Sequence, residues 1–296
     1  MGTIGEGTGI AGRFCGLPNE YSNPQSKVVI LPVPFDLTTT YMKGSDRGPA
    51  ALIEASRNLE VYDIETNSQP YQTGIYTAPS VPGSTSAEML ANVYREVKSY
   101  LANDQFVITL GGEHSISPAP IRAHAEKYPG MSVLQLDAHA DLVQAYEGDP
   151  LSHASAMARV KEIPSITNLV AVGIRSMSVE ELPYLDKENT YFAHTLDGSN
   201  EWQTKVVDSL AEHVYITFDL DAFDPAIMPS TGTPEPGGLD WYQVMRLLKM
   251  VAMKKKIIGF DIVELCPNTS NKGPDFLAAK LLYKMLAYVF NTGVKA

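Results

Sequence analysis

Short apolar runs alternate with amphipathic stretches of helical length along almost the whole chain. Val28-Val29-Ile30-Leu31, closed by Pro32 and Pro34, reads as a buried strand. Runs of the same kind lie at Phe106–Leu110, Met131–Asp137, Leu169–Ile174, Val214–Leu220 and Lys256–Val263, with a shorter one at Tyr191–Ala193. Between them the period changes. Met89, Val93, Val97 and Leu101 form one stripe and predict a helix over Ser86–Leu101. Helices are likewise expected over Pro49–Asn58, Ile116–Tyr128, Ser152–Val160, Ser178–Leu185, Glu201–Glu212, Leu239–Met253 and Pro274–Phe290. Pro49 suits a first helical turn, where its missing N–H costs nothing, and Ser178 has Glu181 three residues on, as in a capping box. Residues 1–26, rich in Gly, Asn, Ser and Pro, read as an irregular arm; Phe35–Arg47 reads as a loop, and Tyr62–Ser84 carries no assignable pattern.

Strands alternating with helices predict one α/β domain over residues 27–296. It is expected to be a three-layer sandwich whose mostly parallel sheet is covered on both faces. No linker, low-complexity tract or internal repeat divides it. In such folds ligands gather at the carboxyl ends of the strands, and the chemistry-bearing residues of this chain sit where strands run out.

Leu134–Asp141 is the most informative stretch: an apolar run breaks into Asp137, His139 and Asp141 on alternate residues. On a strand these three side chains would share a face. Carboxylates beside a buried strand need a positive counterpart, and mixed oxygen and imidazole donors suit manganese, iron or zinc. Asp219 and Asp221 repeat the spacing after Val214–Phe218, and His114 follows Phe106–Leu110 through Gly111-Gly112. Asp224, before Pro225, reads as a turn former, and no Gly-Lys-Ser/Thr follows the glycine pair, which excludes a P-loop. Three strand ends therefore offer more acids than one cation needs. Two cations sharing bridging carboxylates could use them, and such a pair makes a nucleophile by acidifying water.

Gly111-Gly112-Glu113-His114-Ser115, Asp137-Ala138-His139-Ala140-Asp141 and Asp219-Leu220-Asp221-Ala222-Phe223-Asp224-Pro225 resemble the three signature motifs of the ureohydrolase family of arginases, agmatinases and related guanidino-group hydrolases. Ser230–Leu239 looks most like agmatinases, and Val33–Asp36 and Arg47-Gly48-Pro49 also resemble the family's N-terminal region. The resemblance implies an arginase-like fold, two manganese ions per chain and release of urea. It assigns one ion to His114, Asp137, Asp141 and Asp219, and the other to Asp137, His139, Asp219 and Asp221, with Asp137 and Asp219 bridging. Asp141 carries over both as a ligand and as a catalytic residue. His153 matches the histidine that gives a proton to the leaving amine, although Ser152-His153-Ala154 departs from the His-Gly pattern of many relatives. Glu264 matches the glutamate that holds the guanidinium; Asp261, three residues earlier, should face away from it. His124, His194 and His213 lack partners at ligand spacing and read as structural or surface residues.

Composition narrows the partners. At 296 residues with 44% hydrophobic and 19% charged residues the chain is an ordinary globular protein. A net charge of −11 argues against nucleic acid and is compatible with a small cationic substrate. Two cysteines give no disulfide framework and suggest a reducing cytoplasm; no signal peptide or membrane-spanning run is apparent. The expected reaction is hydrolysis of agmatine to putrescine and urea. Alternatives are arginine or another guanidino compound as substrate, or a non-catalytic metal-binding regulatory subunit. The loop Leu142–Leu151 contains Tyr146, Glu147 and Asp149 but no Lys or Arg, which disfavours a substrate carboxylate. Family resemblance suggests a homotrimer or homohexamer.

Overall fold

A computed structural model describes residues 9–196, 199 and 201–290. Residues 1–8 of the expected arm and 291–296 at the end of the expected domain lie outside the described residues. The chain forms one eight-stranded, all-parallel sheet, in the order β2-β1-β3-β8-β7-β4-β5-β6. The strands are β1 (Val28–Val33), β2 (Ile75–Thr77), β3 (Phe106–Gly111), β4 (Met131–Leu136), β5 (Ile166–Ile174), β6 (Thr190–Phe192), β7 (His213–Asp219) and β8 (Lys256–Val263).

Every residue of β1, β3 and β4 is buried, as a sheet covered on both faces requires. Alternation then sorts side chains between the two covers. Val28 and Ile30 pack with α1 (Gly48–Ser56), α5 (Glu201–Ser209), α6 (Trp241–Lys254) and α7 (Gly273–Val289). Val29, Leu31 and Val33 face α2 (Ser86–Ala102) and α3 (Pro118–Lys127). Further along that second face, α3 and α4 (Ala156–Lys161) cover β4 and β5. The result is the expected three-layer sandwich.

Local signals explain most boundaries. Thr85 Oγ1 accepts from Glu88 N and opens α2, whose stripe Met89, Val93, Val97 and Leu101 is buried. Asp240 and Gln243 make a reciprocal capping box, so α6 begins at Trp241 rather than Leu239. Ser178 and Glu181 also make their box, but Pro183 follows, and the segment Val179–Tyr184 is a 3₁₀ turn instead of an α-helix. The expected helices at Ile116 and Ser152 each begin as a 3₁₀ turn, His114–Ile116 and His153–Ser155, before α3 and α4 start. The unassigned stretch Tyr62–Ser84 contains the edge strand β2, held by its pairing to β1 rather than by any pattern of its own. Before β1 the backbone is irregular, yet Phe14, Cys15 and Leu17 are buried in the main core. No described helix is long and apolar enough to cross a membrane.

Candidate metal centre and catalytic site

The four central strands β3, β8, β7 and β4 are neighbours in the sheet, and each delivers functional groups at its carboxyl end. His114 follows β3, Glu264 follows β8, Asp219 closes β7 and Asp137 follows β4. Gly112 lets β3 turn there, because a Cβ at that position would lie 2.0 Å from the carbonyl oxygen of Phe35.

The alternate-residue spacing converges the ligands, but not by strand geometry as expected. β4 ends at Leu136, and Asp137 folds back so that its Oδ1 accepts from His139 N at 2.7 Å. β7 ends at Asp219, whose Oδ1 accepts from Asp221 N at 2.9 Å. Each motif is thus a tight turn in which the first Asp caps the backbone of the second ligand. Ala138 N donates to Asp221 Oδ1 at 2.9 Å and stitches the two turns together. Asp141 and Glu264 both hold positive φ, at 54° and 66°, a conformation uncommon outside glycine that clusters at functional sites.

His114 Nδ1 lies 3.1 Å from Asp137 Oδ2, 3.0 Å from Asp141 Oδ2 and 3.5 Å from Asp219 Oδ2. His139 Nδ1 lies 2.9 Å from Asp221 Oδ2 and 3.7 Å from Asp137 Oδ1. Two groups therefore have ligand atoms close enough to share an ion: His114, Asp137 and Asp219, and Asp137, His139 and Asp221. Five of the six expected ligands fall in these groups; Asp141 belongs to neither and lies beside them, its Oδ2 3.0 Å from His114 Nδ1.

The protonation pattern shows that the set fits a cation. Thr217 Oγ1 donates its one proton to Asp261 Oδ1 at 2.7 Å, so His114 Nε2, 2.9 Å away, must be the donor to Thr217. Burial pushes Asp261 up to about 6, against the charge of His114 and hydrogen bonds from Thr217 and Tyr215. Neutral, His114 would aim an unpartnered Nδ1 lone pair at three carboxylate oxygens; burial disfavours its charged form, but Asp137 and Asp141 outweigh it and raise the imidazole well above its usual value. Lone pairs meet lone pairs, an arrangement that needs a cation or a proton among them. Electrostatics agree. Burial, then the charges of Asp221 and Asp137, raises Asp219 well above the usual carboxylate range. Burial disfavours the charged form of His139, but Asp221 and Asp137 outweigh it and push the imidazole up to about 12.

Glu264 is buried beside this cluster, its Oε1 accepting from His114 N at 2.7 Å and its backbone N–H donating to Gly112 O. A Cβ at Gly232, in the agmatinase-like stretch, would stand 3.5 Å from its Oε2. Asp261 does face elsewhere, toward Tyr215 and Thr217 on β7. The turn carrying His153 packs against the turn carrying His114, and its ring lies 6.0 Å from that of Tyr146. His124 is a core residue: Nδ1 donates to Pro120 O and the ring packs on Tyr215.

Sequence reading missed several supports. Thr38 contacts the His153 turn and Glu113 holds Thr38; Thr217 orients His114; and Gln135 Nε2 donates to Asp137 Oδ2. Arg175 gathers the carbonyls of Asp221 and Glu235, each at 2.7 Å, pinning the Asp219 motif to the Ser230–Leu239 stretch. A threonine within an apolar strand run and a Glu inside the His114 motif were the available signals.

Residues 26–287 match the family model described as Arginase family. The chain is 37% identical over 263 residues to N(1)-aminopropylagmatine ureohydrolase of Thermus thermophilus, covering 88% of this chain and 89% of that protein. It is 33% identical over 262 residues to agmatinase of Pyrococcus horikoshii, covering 87% and 90%. Among solved structures, the agmatine ureohydrolase of Thermoplasma volcanium superposes with a TM-score of 0.82 at 29% identity, covering 92% and 93% of the two chains. With the parallel sheet and the ligand constellation at its carboxyl edge, these likenesses make the chain a member of the arginase family and a hydrolase of amidino carbon–nitrogen bonds.

Proposed function

We propose that the protein hydrolyses agmatine, releasing urea and putrescine at a two-manganese site. His114, Asp137, Asp141 and Asp219 would hold one ion, and Asp137, His139, Asp219 and Asp221 the other. Mixed carboxylate and imidazole donors suit manganese. Ions bound there supply Lewis acidity and a nucleophile from water at neutral pH. The observation that carries the reading is the placing of Glu264, a buried carboxylate locked onto the backbone of a metal ligand. Such a group can pair a guanidinium through charge-assisted bonds and fix its carbon beside the ions.

His153 supplies the proton that the leaving nitrogen needs. As the carbon–nitrogen bond to the alkyl chain breaks, that nitrogen keeps the electron pair, takes the proton and departs as the amine. Asp141, as ligand, also serves the catalytic centre. The names of the relatives favour a second substrate of the same class, N(1)-aminopropylagmatine, which extends the cationic chain beyond the guanidinium. Free Cys15 and Cys266 fit a cytoplasmic setting, and family resemblance supports a trimer or hexamer.

The test is urea release by manganese-loaded protein from agmatine, N(1)-aminopropylagmatine and arginine. Agmatine should be hydrolysed and chelation should stop the reaction. No urea from any of the three would overturn the assignment.

A further inference from the structure

Thr38 lies in the loop after β1, far in sequence from every metal-ligand motif, yet its hydroxyl touches both Glu113 and His153. Oγ1 is 2.8 Å from Glu113 Oε1, 3.0 Å from the backbone N of His153 and 3.2 Å from His153 Nδ1. Glu113 is buried, and it is surrounded by donors. Thr38 N and Thr39 N reach its Oε2 at 2.7 and 3.0 Å, Thr39 Oγ1 reaches Oε2 at 3.2 Å, and Ser115 Oγ reaches Oε1 at 2.6 Å.

Counting protons fixes the direction of every bond. An ionised carboxylate only accepts, so the single proton of Thr38 Oγ1 goes to Glu113. The same oxygen accepts from the backbone N–H of His153, and what remains is an acceptor facing Nδ1. Nδ1 must then carry the hydrogen, and Nε2 becomes the nitrogen free to exchange a proton with substrate. We propose that Thr38, anchored by Glu113, is a positioning residue that sets the tautomer and ring direction of His153. This rests on the reading of His153 as proton donor. Asp261 and Thr217 treat His114 in the same manner with the nitrogens reversed, exposing Nδ1 to the ligands and committing Nε2 to the hydroxyl.

A positioning role makes a claim that packing alone does not: loss of the hydroxyl should matter only while His153 is present. Thr38→Val keeps the shape and removes the bonds; Thr38→Ser keeps the bonds. In manganese-loaded protein, Thr38→Val should lower kcat by about 10- to 100-fold, the usual effect of removing the outer partner of a working imidazole. KM and bound metal per chain should change by less than about twofold, since uniform binding is untouched. Thr38→Ser should restore most of kcat. In a His153→Ala background, adding Thr38→Val should cost less than about twofold, because the two changes remove one function. Equal losses in both backgrounds, or wild-type kcat for Thr38→Val, would overturn the proposal while leaving His153 as the donor. If His153→Ala alone keeps full kcat, the donor reading itself fails. Should Thr38→Val not fold, Thr38→Ala in the same two backgrounds gives the same comparison.

Discussion

The backbone N–H of His114 donates to Oε1 of Glu264 at 2.7 Å, joining a metal ligand after β3 to the carboxylate after β8. In the proposed reading this bond would set the distance between the ions and the guanidinium carbon through backbone rather than through flexible side chains. Glu264→Gln should keep it, because the amide oxygen still accepts, while losing the charge that pairs the substrate. We expect about a 10²-fold fall in kcat/KM with two metals still bound, since losing one charge of a buried hydrogen-bonded pair costs about 3 kcal/mol. Steady-state kinetics with metal analysis checks it; an unaffected kcat/KM would put the guanidinium elsewhere.

Thr217 offers a test of the metal centre that leaves all six ligands in place. Thr217→Val removes the acceptor for His114 Nε2 and frees the imidazole to change tautomer. Outer partners of this kind are worth about 10- to 100-fold in metal affinity. Chelator competition on the purified variant should show that loss, and affinity equal to wild type would mean that packing alone orients His114.

The contrast between these two residues marks what was legible in the sequence. The six candidate ligands lie in contiguous motifs and Glu264 at a strand end, so spacing and resemblance could single them out as candidates. Thr217 and Thr38 act across 103 and 115 residues of chain, through one hydroxyl each, and no local pattern announces such a bond. Strand periodicity predicted that Asp137, His139 and Asp141 converge, but the strand ends at Leu136 and capping turns do the work. Elements with a strong period, such as the Met89–Leu101 stripe, were readable because burial demands it. β2 was not, since three residues at a sheet edge take their stability from β1. Glu113 was read only as part of a motif, because its partners Thr38 and Thr39 sit in a loop with no period.

Away from the site, Lys284 is buried on α7 against Asp63 and Glu65, with Nζ 3.0 and 2.7 Å from their oxygens. Burial pushes Glu65 up, but hydrogen bonds from Lys284, Lys249 and Tyr288 outweigh it and bring it to about 2; Asp63 is lowered too. A carboxyl with a depressed native pKa contributes stability above its unfolded value, and that contribution is lost as pH falls through the native one. The cluster should therefore lose its contribution between about pH 4.5 and 2. Lys284→Met leaves Asp63 buried without its cation and should cost about 3 kcal/mol at pH 7. Denaturation of both proteins across pH should show the gap narrowing below about pH 4, as protonation relieves the unpaired acids in the variant. A gap that stays constant or widens would sink this account.

Substrate choice turns on what the far end of the guanidino compound meets. The ring of Tyr146 lies 6.0 Å from that of His153, so the loop carrying it borders the side from which the leaving amine departs. In that loop Glu147 is exposed, and Asp149 uses Oδ1 to cap Leu151 N at 2.8 Å while its charge remains. Residues 142–151 contain no Lys or Arg, and the chain carries a net charge of −11. Agmatine ends in an ammonium, which this loop attracts; arginine adds a carboxylate, which it repels. Like charges brought together near a partly buried site cost a few kcal/mol, and each 1.4 kcal/mol is about tenfold in specificity. Solvent and salt screen part of that in an open mouth. Agmatine should therefore exceed arginine by at least about tenfold in kcat/KM. N(1)-aminopropylagmatine, with a longer cationic tail, should also exceed arginine. Glu147→Lys should narrow the gap between agmatine and arginine, because it replaces repulsion of the carboxylate by attraction. Side-by-side urea-release kinetics on wild type and variant decide the matter: an arginine preference in the wild type, or a gap that Glu147→Lys leaves unchanged, would remove this loop from substrate selection.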